Sequence, residues 1–183
     1  MEQNRANSSQ PQWYVLRDMR RANARQTAYE QLLEAGYEVF TPMRWEVVHH
    51  HGGTHTRRRI PILPDLLFIN TTREIFDPHL SRIPSLQYRY VRGSQATPMV
   101  VREADMRLFI SAVSSSADPR YYMPEEVSAD MCGRRIRIVG GPLDGYEGNL
   151  LKVRGSKTKR LLVNLAGLIT AAVEVEPEYI QLV

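Results

Sequence analysis

The chain has 183 residues, 43% of them hydrophobic and 24% charged, with a formal net charge of +4 at pH 7. That length suits one large domain or one medium and one small, and the composition is that of an ordinary soluble globular protein. No stretch approaches the roughly 20 apolar residues of a spanning helix, the opening MEQNRANSSQPQ lacks the apolar core of a secretory signal, and Cys132 is the only cysteine, which excludes an intramolecular disulfide.

These features lead us to expect a cytoplasmic protein in a reducing compartment, without membrane contact. Its mildly basic charge is compatible with a nucleic-acid partner. The charge is spread along the chain, although no lysine occurs before Lys152.

Residues 1–12 are polar and are expected to fray. An apolar run, Trp13 to Leu16, begins the first strand. Residues 23–36 read as a helix, with Asn23 as its cap and Gln26 three residues on. Ala28, Tyr29, Leu32 and Leu33 form its packed side, and Gly36 its stop. Residues 37–48 are extended, and HHHGGTH (residues 49–55) forms the tip of a hairpin. Residues 57–63 and 66–70 read as two further strands, broken by Pro61 and Pro64. A short extended piece at 88–92 precedes a second helix at 102–114, where Met106, Phe109, Ile110 and Val113 recur at helical spacing. Connections this short do not suit parallel crossovers, so the expected arrangement is an antiparallel sheet with helices packed on it.

Residues 115–129 are rich in Ser, Pro and acidic side chains without an apolar period, and read as a linker. Five short extended runs follow, at 134–139, 148–153, 160–165, 168–175 and 179–182. Such spacing predicts a small barrel. The predicted fold class is therefore α/β of the α+β kind: an antiparallel sheet with helices, then a small SH3-like β-barrel.

The sharpest motif is GRRIRIVGGPLDGYEGNLLKV (residues 133–153). Ile136 and Ile138 alternate with Arg135 and Arg137, giving a strand with one apolar face. Gly140, Gly141 and Gly145 free the backbone for a sharp loop that Pro142 stiffens, and Gly148 allows a close backbone approach. This segment resembles the KOW motif. Upstream come Trp13 and Tyr14, then VFTP (39–42), a charged hairpin, LPDLLFIN (63–70) and YVRG (90–93). Their order resembles the NGN domain of NusG-like transcription factors. Where the housekeeping form has Phe-Pro-Gly-Tyr, this chain has Leu63-Pro64-Asp65-Leu66, which is closer to the specialised UpxY-like antiterminators of capsule operons.

The resemblance implies an NGN-like, polymerase-binding domain at 12–114, a linker at 115–129 and a KOW domain at 130–183. It implies a non-enzymatic elongation or antitermination factor that binds RNA polymerase and suppresses pausing or termination on specific operons. The positions matching the contact with the polymerase clamp helices are Leu63, Leu66 and Phe68, with Tyr14. Arg17, Arg20, Arg21 and Arg25 match the surface that meets the non-template DNA strand. A helix N-terminus already favours anions, and a cluster of solvated arginines is the alternative reading. Arg57, Arg58 and Arg59 form a second basic cluster. In the barrel, Leu143 and Tyr146 match the contact with a ribosomal protein or a termination factor. Ala166 stands near a turn where the family places a large aromatic residue.

A ribosome-associated KOW protein binding structured RNA is the alternative, and it leaves residues 13–114 without a role. HHHGGTH invites a metal reading, but neighbouring histidines in an extended segment point in opposite directions. No cofactor or metal is therefore expected. No phosphate-binding loop and no nucleophile elbow occur. Some specialised relatives refold the barrel into helices. Asn164, Gly167 and Thr170 disfavour that here, glycine alone costing about 1 kcal/mol against alanine in a helix, so residues 160–175 are expected to stay extended.

Overall fold

The computed structural model describes residues 10–19, 26–49, 51–63, 65–94, 96–152, 155 and 158–183. The chain divides into two compact units, Met1–Arg102 and Glu103–Val183.

The first unit runs β1 (Gln12–Asp18), α1 (Ala28–Glu34), β2 (Glu38–Phe40), β3 (Met43–His49), β4 (His55–Pro61), β5 (Leu67–Thr71), α2 (Arg73–Leu80), β6 (Leu86–Tyr88) and β7 (Val100–Val101). Its sheet has the order β2-β5-β1-β6, and β7 also pairs with β1. All of these pairings are antiparallel. Strands β3 and β4 form a separate two-stranded ribbon.

Four consecutive residues of β1, Trp13 to Leu16, are buried. Because side chains alternate along a strand, Tyr14 and Leu16 point to one face of the sheet, with Val15 and Trp13 on the other. The register places Ile69 opposite Tyr14 and Leu67 opposite Leu16. Ala28, Leu32 and Phe76 join this face, and so bring α1 and α2 onto it.

Helix α1 is shorter than the expected 23–36, and Thr27 caps it. Its hydroxyl accepts from the Glu30 amide at 3.2 Å, while the Glu30 carboxylate accepts from the Thr27 amide at 2.7 Å. This reciprocal box satisfies two otherwise unpaired donors. Asn23 lies outside the described residues. Gly36, at φ +83°, ends the helix as expected, with Tyr37 N–H donating to Leu32 O at 3.0 Å. Helix α2 has no counterpart in the sequence reading, because Pro78 within it reads as a breaker. Thr72 caps it, and the buried Phe76 ring meets Tyr37 edge-on at 5.4 Å.

The second unit runs α3 (Glu103–Ser115), β8 (Arg120–Tyr122), β9 (Cys132–Ile138), β10 (Glu147–Leu151), β11 (Lys159–Leu165), β12 (Ile169–Val175) and β13 (Ile180–Leu182). The strands form one antiparallel sheet in the order β13-β9-β10-β11-β12-β8. Residues 160–175 are extended and pair as a hairpin, from Arg160 opposite Glu174 to Leu165 opposite Ile169. The fold class is the expected one: antiparallel sheets with packed helices, then a small all-antiparallel array of short strands.

Helix α3, read as part of the first domain, packs here on β11, β12 and the turn Gly141–Leu143. Residues 115–129, read as a linker, contain β8, which pairs with β12. Arg160 fastens this segment. Its buried guanidinium donates to Asp118 O at 2.7 Å and to Glu174 Oε1 at 2.6 Å.

Gly148 fulfils the close approach read from the motif. A Cβ there would lie 2.9 Å from the Tyr146 ring, 3.0 Å from Leu161 Cδ1 and 3.1 Å from Leu162 O. Overpacking of this kind costs about 1–3 kcal/mol. Gly148→Ala is therefore expected to lower the stability of the second unit by that amount in urea denaturation. An unchanged midpoint would show that the strands separate freely at this point.

Candidate functional site

The four residues matched to polymerase contact do not share one surface. Phe68 is fully buried, opposite Val15 in β1 and Phe40 in β2. The Phe40 and Phe68 ring centroids are 6.2 Å apart. Leu66 is 1% exposed, and its carbonyl accepts from the Thr41 hydroxyl at 2.8 Å. Leu63 is half-buried just ahead of β5.

Tyr14 belongs to the opposite, helix-covered face. Its ring meets Tyr88 edge-on at 5.4 Å. The Tyr88 hydroxyl donates to Asp77 at 2.8 Å, and Asp77 also accepts from Arg73 at 3.0 Å. Burial, together with the Asp77 hydrogen bond, pushes the Tyr88 hydroxyl well above its ordinary value. Both tyrosines are therefore neutral core groups. Tyr14 and Phe68 match the same contact in the sequence reading, but the register pairs Tyr14 with Ile69 and Phe68 with Val15.

Of the arginines matched to DNA contact, Arg20, Arg21 and Arg25 lie outside the described residues. Arg17 is exposed on β1, and its guanidinium stands 3.9 Å from Asp65. Arg89 approaches the same carboxylate at 3.1 Å and donates to the Asp65 carbonyl at 3.2 Å. Asp65 thus meets two arginines. Exposed pairs of this kind contribute little stability, about 0–1 kcal/mol.

In the second unit Leu143 is buried in the turn that α3 covers, and the Ser111 hydroxyl donates to Pro142 O at 3.3 Å. Leu143 is therefore engaged by its own unit. Tyr146 is half-buried, and its hydroxyl reaches Leu162 O at 3.5 Å. Burial raises its pKa. Ala166 occupies a left-handed position, φ +51°, in the β11–β12 turn.

The ribbon of β3 and β4 is more prominent than the sequence reading makes it. Its register pairs Trp45 with Arg59, Glu46 with Arg58, Val47 with Arg57 and His49 with His55. Alternation then puts Trp45, Val47, Arg57 and Arg59 on one face. Trp45 is 55% exposed, and the Arg57 guanidinium lies 5.2 Å from its ring centroid. Glu46 is on the other face, 3.4 Å from Arg58. His49 and His55 meet edge-on at 4.5 Å. Among the described residues, no group of three or more metal-ligating side chains gathers.

The family description of the transcription termination factor NusG matches residues 11–110. The chain belongs to the NusG family. The match covers just over half the chain and nearly all of the described first unit. No curated protein matches it. Among solved structures, the NusG of Thermotoga maritima is similar, at 15% identity and TM-score 0.48 over 96% of this chain and 99% of that one.

In this NusG-family sheet, polar substitution at Phe68 would strike the core before it touched any partner. Phe68→Ala is expected to cost about 3–5 kcal/mol in chemical denaturation. A loss below about 1 kcal/mol would mean that the residue lies at an open surface.

Proposed function

We propose that this NusG-family chain is a non-enzymatic transcription elongation and antitermination factor. It binds RNA polymerase and suppresses pausing or termination on specific operons. The observation that carries the reading is the family match across the first unit, whose sheet is built around β1. Residues 12–114 act as the NGN-like, polymerase-binding domain and residues 130–183 as the KOW domain, joined through 115–129. The protein works in the cytoplasm.

The polymerase clamp helices dock at the Phe68 side of the sheet, with Leu63 and Leu66 at its margin. Since Leu66 and Phe68 are closed to solvent, contact through them takes an opening step. Apparent affinity then falls in proportion to the fraction of open molecules. Arg17, with Arg20, Arg21 and Arg25, faces the non-template strand. Tyr146 marks the KOW contact with a ribosomal protein or termination factor. The step Leu63-Pro64-Asp65-Leu66, in place of Phe-Pro-Gly-Tyr, supports the specialised, UpxY-like assignment.

The effect needs no chemistry. A protein that binds the elongating polymerase more tightly than the paused one shifts the population towards elongation, roughly tenfold for each 1.4 kcal/mol of preference. The test is a single-round elongation assay with purified core polymerase and the full-length protein. Pause lifetimes are expected to shorten and the protein to co-sediment with polymerase. Unchanged pauses with no co-sedimentation would overturn the proposal, and sedimentation with ribosomes alone would replace it.

A further inference from the structure

The ribbon of β3 and β4 carries a combination that its cross-strand pairing explains only in part. Between Met43 and Pro61 there are four arginines and one glutamate, a net charge of +3. The glutamate is occupied by Arg58 on one face. The other face presents Trp45 and Val47, each more than half exposed, flanked by Arg57 and Arg59. Trp45 and Val47 gain only partial burial there, so the face stays apolar, aromatic and cationic towards solvent even with Arg57 over the Trp45 ring.

We propose that this face of the ribbon is a binding site for single-stranded nucleic acid, with Trp45 stacking an unpaired base and Arg57 and Arg59 holding the flanking phosphates. Aromatic platforms beside guanidinium groups suit a single strand, because every unpaired base offers a face to stack and every linkage a charge to neutralise. Arg57 lies over the Trp45 ring, yet Trp45 is still 55% exposed. Part of the indole surface is therefore open to a base, with the arginine beside it. Arg59, directly opposite Trp45 in the register, shares the same face of the ribbon. A duplex hides its base faces and would use only the arginines. An anionic lipid surface would likewise use charge without base stacking.

The protein supplies its own reporter. Its two tryptophans are Trp13, which is buried, and Trp45, which is not. The experiment titrates the full-length protein, without polymerase, with oligothymidine and oligouridine about 10 nucleotides long, a DNA duplex of the same length, and phosphatidylglycerol vesicles. Quenching of the exposed tryptophan by either single strand is expected, and the tighter of the two identifies the strand type. By anisotropy of a labelled strand, Trp45→Ala should weaken binding about tenfold, and Trp45→Phe should retain most of it, which a loss of folding would not allow. The double change Arg57→Ala and Arg59→Ala should reduce the salt dependence by about 1.4 in slope, roughly 0.7 for each phosphate of a single strand that an arginine no longer neutralises.

Binding unaffected by both sets of changes would overturn the site. So would duplex affinity equal to that of the single strands, or vesicle binding tighter than either. Because no polymerase is present, these outcomes leave the polymerase reading untouched, and failure of that reading leaves these outcomes interpretable.

Discussion

Strand β1 is apolar on both faces and paired along both edges, and the first unit is arranged to meet that requirement. Antiparallel sheets commonly leave one face wet and show a clean alternation. Here Trp13, Tyr14, Val15 and Leu16 are buried in succession, each burial contributing about 1.5–3 kcal/mol on transfer grounds. Two edges need partners and two faces need cover. β5 takes one edge, while β6 and β7 share the other end to end, pairing with residues 16–18 and 13–14. One face is covered by α1 and α2. The hydrogen bond from the Ala28 amide to the buried Asp18 carboxylate, at 3.1 Å, ties the start of α1 to the end of β1.

The second unit obeys a different constraint, the spacing of short strands around a tight hairpin. Gly148 lets β10 pass beneath the Tyr146 ring, and Gly140, at φ +92°, turns the chain after β9, its amide donating to Asp144 at 2.6 Å. Arg160 supplies the polar counterpart. A buried guanidinium is costly unless it is fully paired, and its bonds to Asp118 and Glu174 meet that demand while drawing residues before β8 onto the strands. Segment 115–129 is therefore held by partners distant in sequence, which its own composition does not reveal.

What can be read in advance follows the same division. Local periodicity and local chemistry carry β1, α3, the stop at Gly36 and the five strands after residue 130, because alternation and a glycine at positive φ are properties of a few adjacent residues. Helix α2 is hidden by Pro78. The cap of α1 falls later than Asn23, although Thr27 and Glu30 have the spacing of a capping box. The amphipathic pattern of α3 announces which of its sides is buried, but not that β11 and β12 receive it. The candidate site is least legible for the same reason. Whether Tyr14 and Phe68 share a face depends on register, and register is set by the pairing of β1 with β5, not by either strand alone. The family match supplies the functional class, but it does not rearrange these side chains.

The ribbon reverses the usual relation between stability and surface. A two-stranded hairpin alone is marginal in water, so its cross-strand pairs matter more than they would in a wide sheet. Arg58 with Glu46 serves this purpose on one face. On the other, the stabilising contact is Arg57 over Trp45, and it fixes the indole in an exposed position. The same interaction therefore stiffens the ribbon and sets out a flat aromatic surface beside a cation. Ordering these groups before a ligand arrives lowers the entropic cost of binding, since less side-chain freedom remains to be given up. A longer aliphatic side chain in place of Trp45 could still cover the neighbouring strand, but it would leave Arg57 without a ring to lie on and a base without a surface to meet. The structural requirement of the ribbon and the chemistry of its open face thus converge on one pair of residues.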